Sequence, residues 1–327
     1  MNKNCLLHTE GNKVLNAKNE AVMLYGTNCA GLEWDAQGEK VTERVPLAFD
    51  SWHANVIRLP LSQDRWFGYG EDQNGVEDGA EQYRKIVDRV VSIAAEREKY
   101  IILDLHWSNC GIWGNKIGQH RMADALSVNF WHDISKKFKN HPNVLFSLYN
   151  EPYQVEWEVW QSGGFVKKEN FAASGMQTLI NTVRANGAAN IVVIGGLDWG
   201  FDLSRAEEFP LNDRGGCGIV YDSHIYPWKP AEYDKFVPPS LAEKFPILIG
   251  ECGHYGDDRK PREGPQRLPH AEWCPELIGY IEKNGFHVTG WDFHPGNGPK
   301  LISDSKGTPT PYWGRYLKEF LLKHRTD

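Results

Sequence analysis

Val144-Leu145-Phe146-Ser147-Leu148-Tyr149-Asn150-Glu151-Pro152 begins as a run of strand formers and stops on a glutamate followed by proline. Pro246-Ile247-Leu248-Ile249-Gly250-Glu251-Cys252-Gly253 repeats the pattern: an apolar run delivers a glutamate and then breaks on glycine. Proline and glycine end regular structure, so each glutamate is predicted at a rim of the fold. A carboxylate at a strand's end, beside an apolar core, can act as acid, base or nucleophile.

Outward from these two runs, strand-like segments recur along the whole chain. They fall at about 22–27, 54–60, 100–106, 144–150, 190–196, 219–225, 246–251 and 286–291. Helical patterns lie between them, at 44–53, 78–98, 121–139, 167–186, weakly near 203–209, then 238–244, 270–284 and 311–323. The clearest helix is the second, in which Tyr83, Ile86, Val87, Val90, Val91, Ile93 and Ala94 recur at three- and four-residue spacing. Asp78 is its predicted N-cap. Such alternation implies parallel strands joined by crossover helices. Eight mostly apolar strands in one chain predict a closed (β/α)8 TIM barrel, and residues 1–327 read as one catalytic domain. An open doubly wound sheet would want a Gly-x-Gly-x-x-Gly turn after its first strand, and Tyr25-Gly26-Thr27-Asn28-Cys29 supplies none. Residues 5–20 read as a small hairpin, turning at Gly11-Asn12, that caps the barrel bottom.

Connection lengths locate the working face. Segments entering strands are short: Lys99 alone before the third, Asn284-Gly285 before the eighth. Segments leaving strands are long and irregular, and in a barrel these gather at the C-terminal face, where barrel enzymes keep their chemistry. Both glutamates belong to that face.

The remaining composition narrows the class. An apolar fraction of 41% and a charged fraction of 24% are those of a globular protein with a substantial core. No stretch approaches the roughly 20 apolar residues of a membrane span. A formal charge of −7, with both signs interleaved, argues against a nucleic-acid partner. Cys5, Cys29, Cys110, Cys217, Cys252 and Cys274 show no close pair of the zinc or redox type, so no metal is expected. They read as buried thiols, with one or two disulfides open if the protein is exported. Several of the 13 tryptophans lie in loops: Trp34, Trp66, Trp107, Trp113, Trp199 and Trp228. Each either anchors its loop or offers a flat face to a ligand such as a pyranose ring.

Further polar residues stand at strand ends. Arg58 interrupts the apolar second strand, where burial demands a carboxylate partner. It serves either a structural ion pair or the orientation of a catalytic carboxylate. Asp104 and His106 share a face of the third strand, as His224 and Tyr226 do on the sixth, by the two-residue period. The eighth strand ends in Thr289-Gly290-Trp291-Asp292-Phe293-His294.

The set Arg58, His106, Asn150-Glu151-Pro152, His224 with Tyr226, Glu251 and Trp291 resembles glycoside hydrolase family 5, the cellulase-type barrels. Order and strand placement agree from the second strand to the eighth. Asn-Glu-Pro alone is only moderately specific, since related barrel glycosidases share it. The resemblance implies that Glu151 is the general acid/base and Glu251 the nucleophile. It implies that Asn150 meets the sugar 2-hydroxyl, Tyr226 touches Glu251 and His224 sits beside Glu151. Arg58 would steady Glu251, His106 would line the cleaved subsite and Trp291 would floor it. Cys252 departs from the pattern, standing where relatives commonly carry an aromatic residue.

A retaining mechanism fits those roles: Arg58 and the Tyr226 hydroxyl would keep Glu251 ionised, and a low-dielectric cleft would keep Glu151 protonated. Two rival classes fit the residues less well. A metal-dependent barrel hydrolase would want a His-x-His pair ending the first strand, which is absent. A carbohydrate-binding barrel that had lost catalysis would not need both glutamates with all their partners. The resemblance implies β-linked polysaccharide or oligosaccharide as substrate and no cofactor. Trp34, Trp66, Trp107 and Trp113 favour a polymer, with endo-β-1,4-glucan cleavage ahead of β-mannan, other β-glycans and exo action. A monomer without nucleic-acid or membrane partners is expected. Met1-Asn2-Lys3-Asn4-Cys5 carries no apolar leader, leaving a cytoplasmic protein or the mature domain of a secreted one.

Overall fold

The computed structural model describes residues 7–109, 111, 118–261 and 264–325. In chain order its strands are β1 (Leu7–Glu10), β2 (Lys13–Asn16), β3 (Tyr25–Asn28), β4 (Val56–Ser62), β5 (Tyr100–Trp107), β6 (Val144–Ser147), β7 (Gly164–Val166) and β8 (Phe171–Ala173). There follow β9 (Val192–Gly195), β10 (Ile219–Ile225), β11 (Ile247–Cys252) and β12 (His287–Gly290). The longer helices are α1 (Val41–Trp52), α2 (Gln63–Phe67), α3 (Gly79–Ala95), α4 (Ala125–Phe138), α5 (Trp157–Ser162) and α6 (Met176–Ala185). Two single-turn helices, α7 (Tyr233–Phe236) and α8 (Pro239–Ala242), precede α9 (His270–Asn284) and α10 (Gly314–Lys323).

The expected closed barrel is present. Eight parallel strands pair in the cyclic order β3-β4-β5-β6-β9-β10-β11-β12, and β12 closes onto β3. The outward faces of the strands and the inward stripes of the helices make one large apolar cluster. Helix α3 shows how: Tyr83, Val87, Val90, Val91, Ile93 and Ala94 are buried, one face of a 3.6-residue period. The β1–β2 hairpin covers the other end. Leu7 and Val14 pack against Val56, Ile102, Leu145, Val193, Val220 and Leu248, near the beginnings of the barrel strands. This floor keeps water out of the barrel's base and leaves the C-terminal mouth as the open end.

Four indoles tether the mouth from outside. Trp131 Nε1 donates to the Leu148 carbonyl at 2.8 Å, Trp160 to Gly195 at 2.9 Å, and Trp313 to Trp291 at 2.8 Å. Trp52 likewise donates to Gly307 at 3.0 Å. Each is fully buried, so each bond satisfies a polar atom that would otherwise be costly inside the core. Of these carbonyls, Leu148 is two residues before Asn150, Gly195 packs against the Asn150 main chain, and Trp291 itself belongs to the mouth.

Several expectations need correction. The helix predicted over 167–186 begins only at Met176, because residues 164–173 form the β7–β8 hairpin. Gly163 and Gly164 have positive φ, and Asn170 is left-handed at φ 54°, a backbone that no helix allows. Residues 203–209 are turns, not helix. Asp78 stands at the N-cap of α3, but with φ 53° its side chain makes no capping bond. Cys217 is disulfide-bonded, whereas Cys29, Cys252 and Cys274 are buried free thiols. Cys5, Cys110 and Trp113 lie outside the described residues.

Candidate active site

Strand register brings the two glutamates to one level of the mouth. On β10 the pairing with β11 shifts between Asp222 and His224, which sets His224 directly beside Glu251. Gly250 permits this: a Cβ there would lie 2.3 Å from both carboxylate oxygens of Asp222, which instead accepts the Gly250 N–H at 2.7 Å. Glu151 follows β6, three strands round the barrel from β11. Oxygens of the two carboxylates and a nitrogen of His224 all lie within 4.8 Å of one another. Glu251 is nearly buried, with 5% of its side chain exposed, while Glu151 retains 19%.

Each carboxylate has its own partners. Glu251 Oε1 accepts from Arg58 Nη1 at 2.8 Å, and its Oε2 accepts from the Tyr226 hydroxyl at 2.8 Å. Burial, then the charge of Glu251, keeps the Tyr226 phenol far from ionising, so it remains a donor. Glu151 Oε1 lies 2.8 Å from His224 Nδ1. Burial alone would favour the neutral imidazole. The charges of Glu251 and Asp222 outweigh it and push His224 up to about 10, which favours the cationic ring; Nδ1 then donates to Glu151, and Nε2 lies 3.4 Å from Asp222 Oδ2. His224 thus engages one oxygen of Glu151, Oε1.

Arg58 is the hub beneath. It is wholly buried and reaches Asn28 Oδ1 at 3.0 Å, Asn150 Oδ1 at 2.7 Å, Asp104 Oδ1 at 3.0 Å and Glu251. Burial works against the Asp104 carboxylate, yet the Arg58 guanidinium holds it below its ordinary range. Asp104 also holds His106 Nδ1 at 2.8 Å; burial lowers that ring, and this contact with Asp104 more than offsets it. Arg58 thus makes the ion pairs that its burial demands, one with Asp104 and one with Glu251. Arg58→Met would remove the guanidinium shared by two buried carboxylates, Asp104 and Glu251, and an unfolding loss of about 3–5 kcal/mol is expected in urea titrations.

Aromatic side chains line the mouth. Trp34, Trp107, Tyr226 and Trp291 form one buried cluster with Ala30, and Trp228 packs against it. The Trp291 ring stacks on His106 with centroids 5.2 Å apart, and Trp228 stacks on Tyr226 at 4.5 Å. Beyond Glu151, Trp199 stacks on Tyr153 at 3.7 Å. Trp66 is different: it is 1% exposed and packs against Phe130 beneath Arg84, so it anchors its loop and cannot stack on a ligand.

The structure therefore assembles Arg58, His106, Asn150, Glu151, His224, Tyr226, Glu251 and Trp291, with Trp34, Trp107 and Trp228 around them. Sequence reasoning passed over Asn28, Asp222 and Gln119. The first two carried a signal: Asn28 ends β3 as the others end their strands, and Asp222 precedes His224 by one strand period. Gln119 arrives on a loop and carried none.

Comparison with known proteins follows the same line. A family model described as cellulase (glycosyl hydrolase family 5) matches residues 15–297. An endoglucanase of Paenibacillus polymyxa is 23% identical over 364 residues, covering 96% of this chain and 85% of the relative. Endoglucanase Z of Dickeya dadantii is 23% identical over 193 residues, covering 59% of this chain but only 38% of that protein. Among solved structures, the β-glucanase SdGluc5_26A from Saccharophagus degradans, in complex with cellotetraose, superposes with a TM-score of 0.78 at 22% identity. That match covers 98% of this chain and 94% of the other, and it shows a shared fold.

Proposed function

The chain belongs to glycosyl hydrolase family 5, the cellulase family, and on that premise we propose that it is a retaining endo-β-1,4-glucanase working by double displacement. Glu251 attacks the anomeric carbon while Glu151 protonates the departing oxygen. Glu151 then takes a proton from the water that releases the sugar from Glu251. The observation that carries this reading is the approach of the two carboxylates to within 4.8 Å. Retaining glycosidases hold theirs about 5–5.5 Å apart, whereas inverting ones need about 6.5–9.5 Å to admit a water between them.

The finer assignments rest on the lining. Asn150 is read as the partner of the 2-hydroxyl, His106 and Trp291 as the walls of the cleaved subsite. Trp34, Trp107 and Trp228 offer apolar faces to neighbouring rings, which favours a β-linked polymer over a disaccharide. A polymer of that size is met outside the cell, and the disulfide at Cys217 supports an oxidising location. Among the described residues no helix is long and apolar enough to cross a membrane. We take the working unit to be a monomer.

Glu151, His224 and Glu251 also converge closely enough to hold a cation, which would be a metal-dependent alternative. A cationic His224 is a poor ligand, since metal binding requires the neutral ring. One experiment addresses both questions. Product release from carboxymethylcellulose, lichenan, galactomannan and xylan is measured side by side, with and without EDTA. Fastest release of mixed-length products from the β-1,4-glucan, unchanged by EDTA, is expected. Preference for galactomannan would move the substrate assignment, and loss of activity in EDTA would favour the metal reading.

A further inference from the structure

Gln119 stands in the loop between β5 and α4, buried, and its one amide spans two consecutive residues of the site. Its Nε2 donates to the main-chain carbonyl of Glu151, and its Oε1 accepts from Asn150 Nδ2 at 3.1 Å. The direction of every bond in this row is forced. Arginine only donates, so the Asn150 atom 2.7 Å from Arg58 Nη2 must be oxygen. Asn150 then presents its NH₂ to Gln119, which must answer with oxygen. The NH₂ of Gln119 is left facing a carbonyl, which can only accept. Both amide orientations, which density alone seldom distinguishes, are thus determined by the donors and acceptors at the two ends.

Asn150 Nδ2 carries two hydrogens, and Gln119 holds one. The other is directed away from Gln119, toward His106 Nε2 at 3.4 Å, a contact long enough to yield to a better acceptor. We infer that Gln119 is a positioning residue of the hydrolase: it fixes which hydrogen of Asn150 is offered to the 2-hydroxyl of the cleaved sugar, and it pins the main chain at Glu151. This rests on the glycosidase reading given above. Gln119→Met keeps the volume and removes both bonds. Gln119→Glu keeps the acceptor but sets a second oxygen against the Glu151 carbonyl, until protonation turns that oxygen into a donor.

The test uses an aryl β-cellobioside and its counterpart lacking the 2-hydroxyl on the ring that bears the leaving group. Gln119→Met is expected to lower kcat/KM about 10²-fold on the first substrate and less than about threefold on the second. The activity of Gln119→Glu, divided by that of the unsubstituted enzyme at each pH, should rise as pH falls. Packing alone would produce neither pattern. Equal losses on both substrates, or no recovery of Gln119→Glu in acid, would overturn the inference while leaving the glycosidase reading intact. An unsubstituted enzyme inactive on both substrates would overturn the two together. Should Gln119→Met fail to fold, the pH ratio of Gln119→Glu decides.

Discussion

Glu251→Ala is expected to lower kcat by on the order of 10⁵- to 10⁶-fold, because the attacking atom itself is removed and no neighbour can replace it. Arg58 and Tyr226 hold Glu251 at 2.8 Å from either side; the guanidinium can only donate, and burial keeps the phenol protonated and a poor nucleophile. They do leave behind a small, positively lined cavity where the carboxylate stood. Azide fits such a cavity and should restore turnover of an aryl β-cellobioside. Because azide then attacks once, from the face opposite the leaving group, the product is the α-glycosyl azide. Formation of the β-glycosyl azide from this variant would exchange the roles of the two glutamates.

Glu151→Ala should cost less and in a manner that depends on the leaving group. A positioned general acid contributes about 10²–10⁴-fold, and that is the loss expected on cellooligosaccharides, whose sugar alkoxide must be protonated to depart. Dinitrophenolate departs without help. On 2,4-dinitrophenyl β-cellobioside the variant should therefore form the glycosyl enzyme at nearly the original rate and then stall, giving a burst of one equivalent. Azide should relieve the stall and yield the β-glycosyl azide, after two inversions. An equal loss across leaving groups would mean that Glu151 is not the acid. The geometry explains why the variant should remain folded. Glu151 is the more exposed of the pair, and among the described residues its side chain is held by one hydrogen bond, from His224.

The barrel was readable from the sequence because most of its strands are near-continuous apolar runs, as burial on both faces requires. The site was readable for a related reason. A charged residue such as Arg58 or Glu251 inside such a run can persist only by meeting a partner, so polar interruptions at strand ends mark where partners converge. That logic fails wherever the chain leaves the strands. Lys167-Lys168-Glu169 are good helix formers, yet the neighbouring glycines and the left-handed Asn170 turn that stretch into the β7–β8 hairpin. Trp66 counts among the loop tryptophans that could anchor or stack, and only tertiary packing decides that it lies in the core. Gln119 is the plainest case. A glutamine in a loop has no periodicity to betray it, and its partners, Asn150 and Glu151, are 31 and 32 positions away.

Attack by Glu251 on the anomeric carbon, with Glu151 across a short gap, is tested most directly by trapping the intermediate. The enzyme is treated with 2,4-dinitrophenyl 2-deoxy-2-fluoro-β-cellobioside, whose fluorine slows release from the enzyme more than departure of the phenolate, and is then digested for mass spectrometry. One fluoroglycosyl unit on the peptide carrying Glu251, with burst release of one dinitrophenolate, is the predicted result. Turnover without any adduct, or an adduct on Glu151, would contradict it.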